Sequence, residues 1–204
     1  AKSRTGSGKT LAFALPIVER LNPKDRKPSA VIMVPTRELC SQVNDDFKEV
    51  AQARGLRCAA VYGGVGIPAQ AKAAAQSHIL IATPGRLEDL AERRLIDLAG
   101  VKILVLDEAD RMLDMGFQPQ VARIVRRISK DRQTMFFSAT LDGAVGNMAK
   151  AYTRDAVRHE IISQLETVDE ADHRFIPVEA GKKVDELVKL LLDARHNPRF
   201  LLFR

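Results

Sequence analysis

Two clusters in this 204-residue chain have the residue types and spacing to act on a phosphate. In the run Ser3, Arg4, Thr5, Gly6, Ser7, Gly8, Lys9, Thr10, the glycines let the backbone turn tightly and bring N–H groups against an anion. Lys9 adds a cation and Thr10 a hydroxyl for a metal. Ser3 stands where the general pattern opens with glycine, which narrows the backbone freedom of that turn. The second cluster is Asp107, Glu108, Ala109 and Asp110, directly after the apolar run 101–106. Acids at the carboxyl end of a buried strand do not belong to a core, so Asp107 is expected near magnesium and Glu108 beside an attacking water. Adjacent carboxylates raise each other's pKa and a bound divalent cation lowers them, so Glu108 is expected to be tuned only with nucleotide and metal in place. Asp110 reads equally well as a helix cap ahead of Arg111 and as a functional residue. Together the clusters point to a nucleoside triphosphate, magnesium and an activated water.

These residues need elements to hold them. Apolar runs of strand length at 30–34, 57–62, 78–82, 101–106, 133–137 and 157–161 alternate with helical patterns. That alternation predicts an α/β fold, a mostly parallel sheet flanked by helices on both faces. The phosphate run leads into a helix over 9–21, with Leu11, Leu15 and Val18 at helical spacing and Pro16 expected to kink it. Leu39, Val43, Phe47 and Val50 mark one core stripe, and Val121, Ile124, Val125 and Ile128 another. The acidic, aperiodic stretch 164–172 reads as a linker between a first domain at 1–163 and residues 173–204. The latter read as a strand over 173–179, a helix over 182–195 with Val184, Leu187, Leu191 and Ala194 inward, and a strand over 200–203. One such β-α-β unit is too short to bury both apolar faces, so it is expected to be the truncated start of a second domain. Ala1 stands almost inside the phosphate loop, so the leading strand is expected to be missing or nearly so, and the chain to be a fragment.

Composition bounds the rest. Hydrophobic content of 46% with 28% charged residues describes an ordinary globular protein, and no Trp with few aromatics argues against a base-stacking platform. A net charge of +6 is compatible with a polyanionic partner. Cys40 and Cys58 lack metal-site spacing and the four histidines are scattered, so neither zinc nor a disulfide framework is expected. No apolar run is long enough to span a membrane and no signal segment opens the chain, which implies a cytoplasmic, reducing setting with no membrane partner.

Several short loops fall just past predicted strands: Pro35, Thr36, Arg37; Gly63, Gly64; Thr83, Pro84, Gly85, Arg86; and Ser138, Ala139, Thr140. Each also has a structural reading. Thr83 with Pro84 suits a helix start, the glycines suit a turn, and Thr140 could cap the next helix. In order with the phosphate loop and Asp-Glu-Ala-Asp, they make the chain resemble the DEAD-box ATP-dependent RNA helicases of superfamily two, over essentially its whole length. The resemblance implies a RecA-like ATP-binding domain followed by the beginning of a second one. It assigns Thr5, Gly6, Ser7, Gly8, Lys9 and Thr10 to ATP, with Lys9 on the β and γ phosphates and Thr10 on magnesium. Asp107 and Glu108 become the metal-positioning and water-activating acids. Asp110, Ser138, Ala139 and Thr140 belong to the group that links nucleotide state to strand separation. Pro35, Thr36, Arg37, Gly63, Gly64, Thr83, Pro84, Gly85 and Arg86 fall where the family grips one RNA strand by its sugar–phosphate backbone. Such a grip is independent of sequence and weakens with salt.

The resemblance places the adenine-reading segment upstream of Ala1 and the γ-phosphate arginines downstream of Arg204. The fragment alone is therefore expected to be nearly inactive. The implied activity is RNA-stimulated ATP hydrolysis coupled to local duplex opening. The alternatives are an ATP-gated RNA clamp that unwinds little and a DNA-directed superfamily-two motor, the latter ranked lower because Asp-Glu-Ala-Asp with Ser-Ala-Thr fits the RNA group better. Protein partners, RNA target and oligomeric state are not legible.

Overall fold

A computed structural model describes residues 1–2, 8–25, 27–160, 175–179 and 181–193. Backbone contacts divide the chain into two units, Ala1–Ile162 and Ser163–Arg204. In the first, five strands form a wholly parallel sheet in the order β2-β3-β1-β4-β5: β1 Ala30–Met33, β2 Cys58–Val61, β3 Ile79–Ala82, β4 Ile103–Leu106 and β5 Gln133–Phe136. Each predicted strand from 30 to 137 is present, trimmed at its ends to the rungs that find partners.

The period-two alternation of side chains splits the core into two layers. Ala30, Ile32, Ile79, Ile81, Ile103 and Val105 face one way, under α1 (Lys9–Arg20) and α2 (Arg37–Gln52), against Phe13, Ile17, Val43 and Phe47. Val31, Met33, Leu80, Leu104 and Leu106 face the other way. That side is covered by α3 (Ile67–Gln76), α4 (Pro84–Glu92), α5 (Ala109–Asp114), α6 (Gln118–Arg127) and α7 (Gly143–Tyr152). Both faces of β1, β3 and β4 are buried, which is why these strands read as unbroken apolar runs.

Three expectations change. In α1 the buried side is Phe13, Ala14, Ile17 and Val18, whereas Leu11 and Leu15 are 53% and 50% exposed. The helix is apolar on most of its circumference, so spacing alone could not choose the inward stripe; it runs through Pro16 as one element. The stretch 157–161 forms no strand among the described residues. Among the described residues its one pairing is a parallel bridge from Glu160 to Lys2, which also bridges Ser138. In the second unit, residues 175–179 take no strand conformation, and helix α8 (Lys183–Asp193) carries Val184 and Leu191 exposed rather than inward. Ala194 and the proposed strand over 200–203 lie outside the described residues, as does the stretch 164–172.

At the amino edge of the sheet His78 is 2% exposed. Its Nδ1 accepts the Arg57 N–H at 3.0 Å and its Nε2 lies 3.0 Å from the Pro23 carbonyl, which fixes a neutral ring with the proton on Nε2. Burial holds its pKa below the usual histidine value, and the nearby Lys27 and Arg57 charges act in the same direction. A group whose folded pKa is depressed takes up its proton more readily when unfolded, so this stability is present above about pH 6.5 and is lost as pH falls through the folded value. The urea midpoint should therefore fall between about pH 7.5 and pH 5.5, and His78→Gln should flatten that fall.

Candidate functional site

All four strand pairings are flush, with Ala30 level with Ile79 and Ile103, and Ile79 and Ile103 level in turn with Cys58 and Gln133. The five strands consequently end on one line, and every loop singled out in the sequence leaves from it.

Gly8 opens α1 at φ +78°, a left-handed conformation that suits glycine, and Lys9 and Thr10 follow as its first turn. Thr5, Gly6 and Ser7 lie outside the described residues. Lys9 Nζ stands 3.6 Å from Asp107 Oδ1, with both side chains largely buried (11% and 4% exposed). The two sequence clusters therefore meet. The Asp107 carboxylate also accepts the Glu108 N–H at 3.0 Å. Burial pushes its pKa above the usual carboxylate value against the pull of Lys9 and that N–H, and Glu108 adds a smaller push in the same direction. Loss of water therefore outweighs the like-charge neighbour that the sequence emphasised.

Glu108 takes φ +50°, ψ +49° and occupies the position just before α5, with a side-chain oxygen 3.5 Å from Arg111 Nη1. Lys9, Asp107 and Glu108 line a depression of about 400 Å³ together with Gly8, Thr10 and a wall from α2. The α2 residues Gln42, Asp46 and Glu49 were not anticipated. Their i, i+4, i+7 spacing marks one helical face, but nothing local says what that face looks onto.

A second depression of about 550 Å³ lies on the same sheet edge, lined by Pro35, Thr36, Arg37, Gly63, Thr83, Gly85 and Arg86. Thr36 Oγ1 accepts the Leu39 N–H at 3.2 Å and caps α2. Thr83 and Pro84 begin α4, but the Thr83 hydroxyl makes no cap bond. The N-termini of α2 and α4 thus both flank the depression. Gly64 sits at φ +86° beneath Arg37, where an added Cβ would fall 2.8 Å from Nη1. Arg37 also lies 5.9 Å over the Tyr62 ring. Arg86 is held by the Val65 carbonyl at 2.9 Å and Gln70 Oε1 at 2.8 Å. Met115 and Phe117 join the lining from the chain after α5, another contribution without a local sequence signature, and two acids, Glu38 and Asp89, line it as well, Asp89 Oδ2 lying 3.9 Å from Arg86 Nε.

Asp110 joins the third group. It lies inside α5 rather than at its cap position, and its carboxylate accepts the Arg111 N–H and the Ala139 N–H, both at 3.0 Å. Ser138 is fully buried and its Oγ accepts the Thr140 N–H at 3.3 Å. Thr140 does not cap the next helix, because Asp142 takes that position.

A parallel three-layer α/β sheet with a lysine-bearing glycine turn and paired acids at its carboxyl edge defines a RecA-like phosphate-loop domain. Residues 1–148 match the DEAD/DEAH box helicase family model. The chain is 41% identical over 198 residues to the pre-mRNA-processing ATP-dependent RNA helicase prp-5 of Neurospora crassa, covering 93% of this chain and 17% of that protein. It is 36% identical over 191 residues to the DEAD-box ATP-dependent RNA helicase CshA of Bacillus licheniformis, covering 93% and 39%. Among solved structures, a DEAD box protein from Methanococcus jannaschii superposes with a TM-score of 0.72 at 42% identity, over 76% of this chain and 42% of the other. S. cerevisiae dbp5, solved with nup159, gle1, ip6 and adp, gives a TM-score of 0.72 at 34% identity, over 79% and 43%. The chain belongs to the DEAD/DEAH box helicase family. It spans less than two-fifths of the length of these two curated relatives.

The Asp110–Ala139 bond ties the loop after β5 to the turn after β4. Asp110→Ala should cost about 1–2 kcal/mol, read by denaturant unfolding, and should speed amide exchange at Ala139 while leaving the amides of β4 protected.

Proposed function

We propose that the protein containing this chain hydrolyses ATP in response to RNA and uses the cycle to open or remodel short RNA duplexes. The observation that carries this reading is the meeting of Lys9 with Asp107 and Glu108 at one depression, on the sheet edge that also bears Arg37 and Arg86. In this reading the first N–H groups of α1 and the Lys9 ammonium hold the β and γ phosphates, and Thr5, Gly6, Ser7 and Gly8 complete the cradle.

The donors present suit magnesium. Thr10 and Asp107 offer hard oxygens, and a buried carboxylate destabilised by lost water gains from a neighbouring cation. No cluster of three or more acidic, histidine or cysteine ligands occurs among the described residues, which fits an ion held mainly by one carboxylate, nucleotide phosphates and water. When bound, magnesium neutralises charge on the transferring phosphoryl group. Glu108, lining the same depression as Lys9 and Asp107, would accept the proton of the attacking water.

Arg37, Arg86 and the N-termini of α2 and α4 take successive phosphates of one RNA strand, with Gly63, Gly64, Pro84 and Gly85 letting the backbone approach. The Asp110–Ala139 link carries nucleotide state toward that strand. A cytoplasmic, reducing setting belongs to the same reading, in keeping with Cys40 and Cys58 both being free thiols.

Glu108→Gln in the full-length protein should lower RNA-stimulated turnover by about 10²-fold or more and leave nucleotide affinity intact. Phosphate release with and without RNA, measured beside a nucleotide-binding titration, checks this. Unchanged turnover removes Glu108 from the base role. Stimulation by single-stranded DNA equal to that by RNA redirects the substrate assignment, and sustained RNA retention with little strand displacement favours a clamp.

A further inference from the structure

The basic excess of this chain is concentrated where neither proposed depression uses it. Residues 118–158 contain eight Lys and Arg against three acids, a net of +5 out of +6 for the whole sequence. Helix α6 opens this stretch and has no acidic residue. Its N-cap is Phe117, which lines the depression that holds Arg37 and Arg86, and its last turn carries Arg126 and Arg127, with Lys130 just beyond. At 1.5 Å per residue the helix leads about 15 Å away from that depression.

The charges along it are not equivalent. Arg123 is neutralised by Glu88 of α4, with Glu92 also near. Arg126, Arg127 and Lys130 are exposed, and among the described residues they make no ion pair. Arg127 donates one N–H to the Ala91 carbonyl at 3.4 Å, which orients its guanidinium over the end of α4. Arg126 lies close enough to Tyr152 of α7 to act on its hydroxyl. Bases at a helix C-terminus favour the helix dipole, yet that role needs one charge within the last turn and does not account for Lys130.

We propose that α6 is a track for RNA leaving the groove: a single strand gripped at Arg37 and Arg86 continues past Phe117, and its flanking phosphates lie against Arg126, Arg127 and Lys130. The inference rests on the RNA-binding reading given above and extends its footprint by about three phosphates. Contacts made by charge to phosphates alone are sequence-independent and dependent on salt.

The test measures RNA affinity against salt for the full-length protein, with one oligonucleotide long enough only for the groove and one several nucleotides longer. Each neutralised phosphate contributes about 0.7 to the slope of log K against log salt for single strands. The triple substitution Arg126→Ala, Arg127→Ala, Lys130→Ala should reduce that slope by about two units on the long RNA and hardly alter it on the short one. The matching variant Arg126→Lys, Arg127→Lys with Lys130 kept should retain the slope, because only charge is asked of these positions. An unchanged slope on the long RNA overturns the track, and so does an equal loss on both RNAs. Arg86→Ala is the independent arm: if it leaves the short RNA unaffected, the groove reading fails, whatever α6 does.

Discussion

Flush parallel registration is the constraint on which the site depends. Hydrogen bonds between β1 and its neighbours β3 and β4 fix which residues sit level, and with β2 and β5 joined in the same register every strand stops at one line. Loops separated by up to a hundred residues therefore share a boundary of a few strand widths, each about 4.8 Å. A slip of one residue in β4 would turn Leu104 and Leu106 from one core layer into the other and carry Asp107 away from Lys9. Fold specificity and site geometry are thus enforced by the same buried side chains.

Within that boundary the electrostatics are opposed by design of place. Asp107 is deep enough that losing water disfavours its charge, and the ammonium of Lys9 only partly offsets the loss. The pair is accordingly less a strut than a poised arrangement, since a buried ion pair is seldom a large net stabiliser. On the proposed reading, a cation and a polyanion arriving together would satisfy both partners at once. The Asp110 link extends this logic sideways, because the amide of Ala139 answers to a carboxylate that stands three residues from the buried one.

Much of this was legible in the chain because strand and site signals coincide: Ile103–Leu106 is wholly apolar for burial on both faces, and the residues after it are polar for the edge. What escaped has physical reasons. The inward stripe of α1 was hidden by apolar residues all around the helix, so Phe13 and Ile17 rather than Leu11 and Leu15 met the sheet. Thr140 lost the cap position to Asp142, two residues nearer the helix. Gln42, Asp46, Met115 and Phe117 reach the depressions from neighbouring elements, and their roles are set by packing that no local pattern encodes.

Glu108 sits where an L-residue with a full side chain is out of place, at φ +50° with a left-handed ψ. Relief of such a conformation is worth of order 1–3 kcal/mol, a reserve kept loaded by the strand before it and the helix after it. The turn after β4 therefore keeps its left-handed residue in place only through the packing of the elements on either side, at the one residue whose aim matters most.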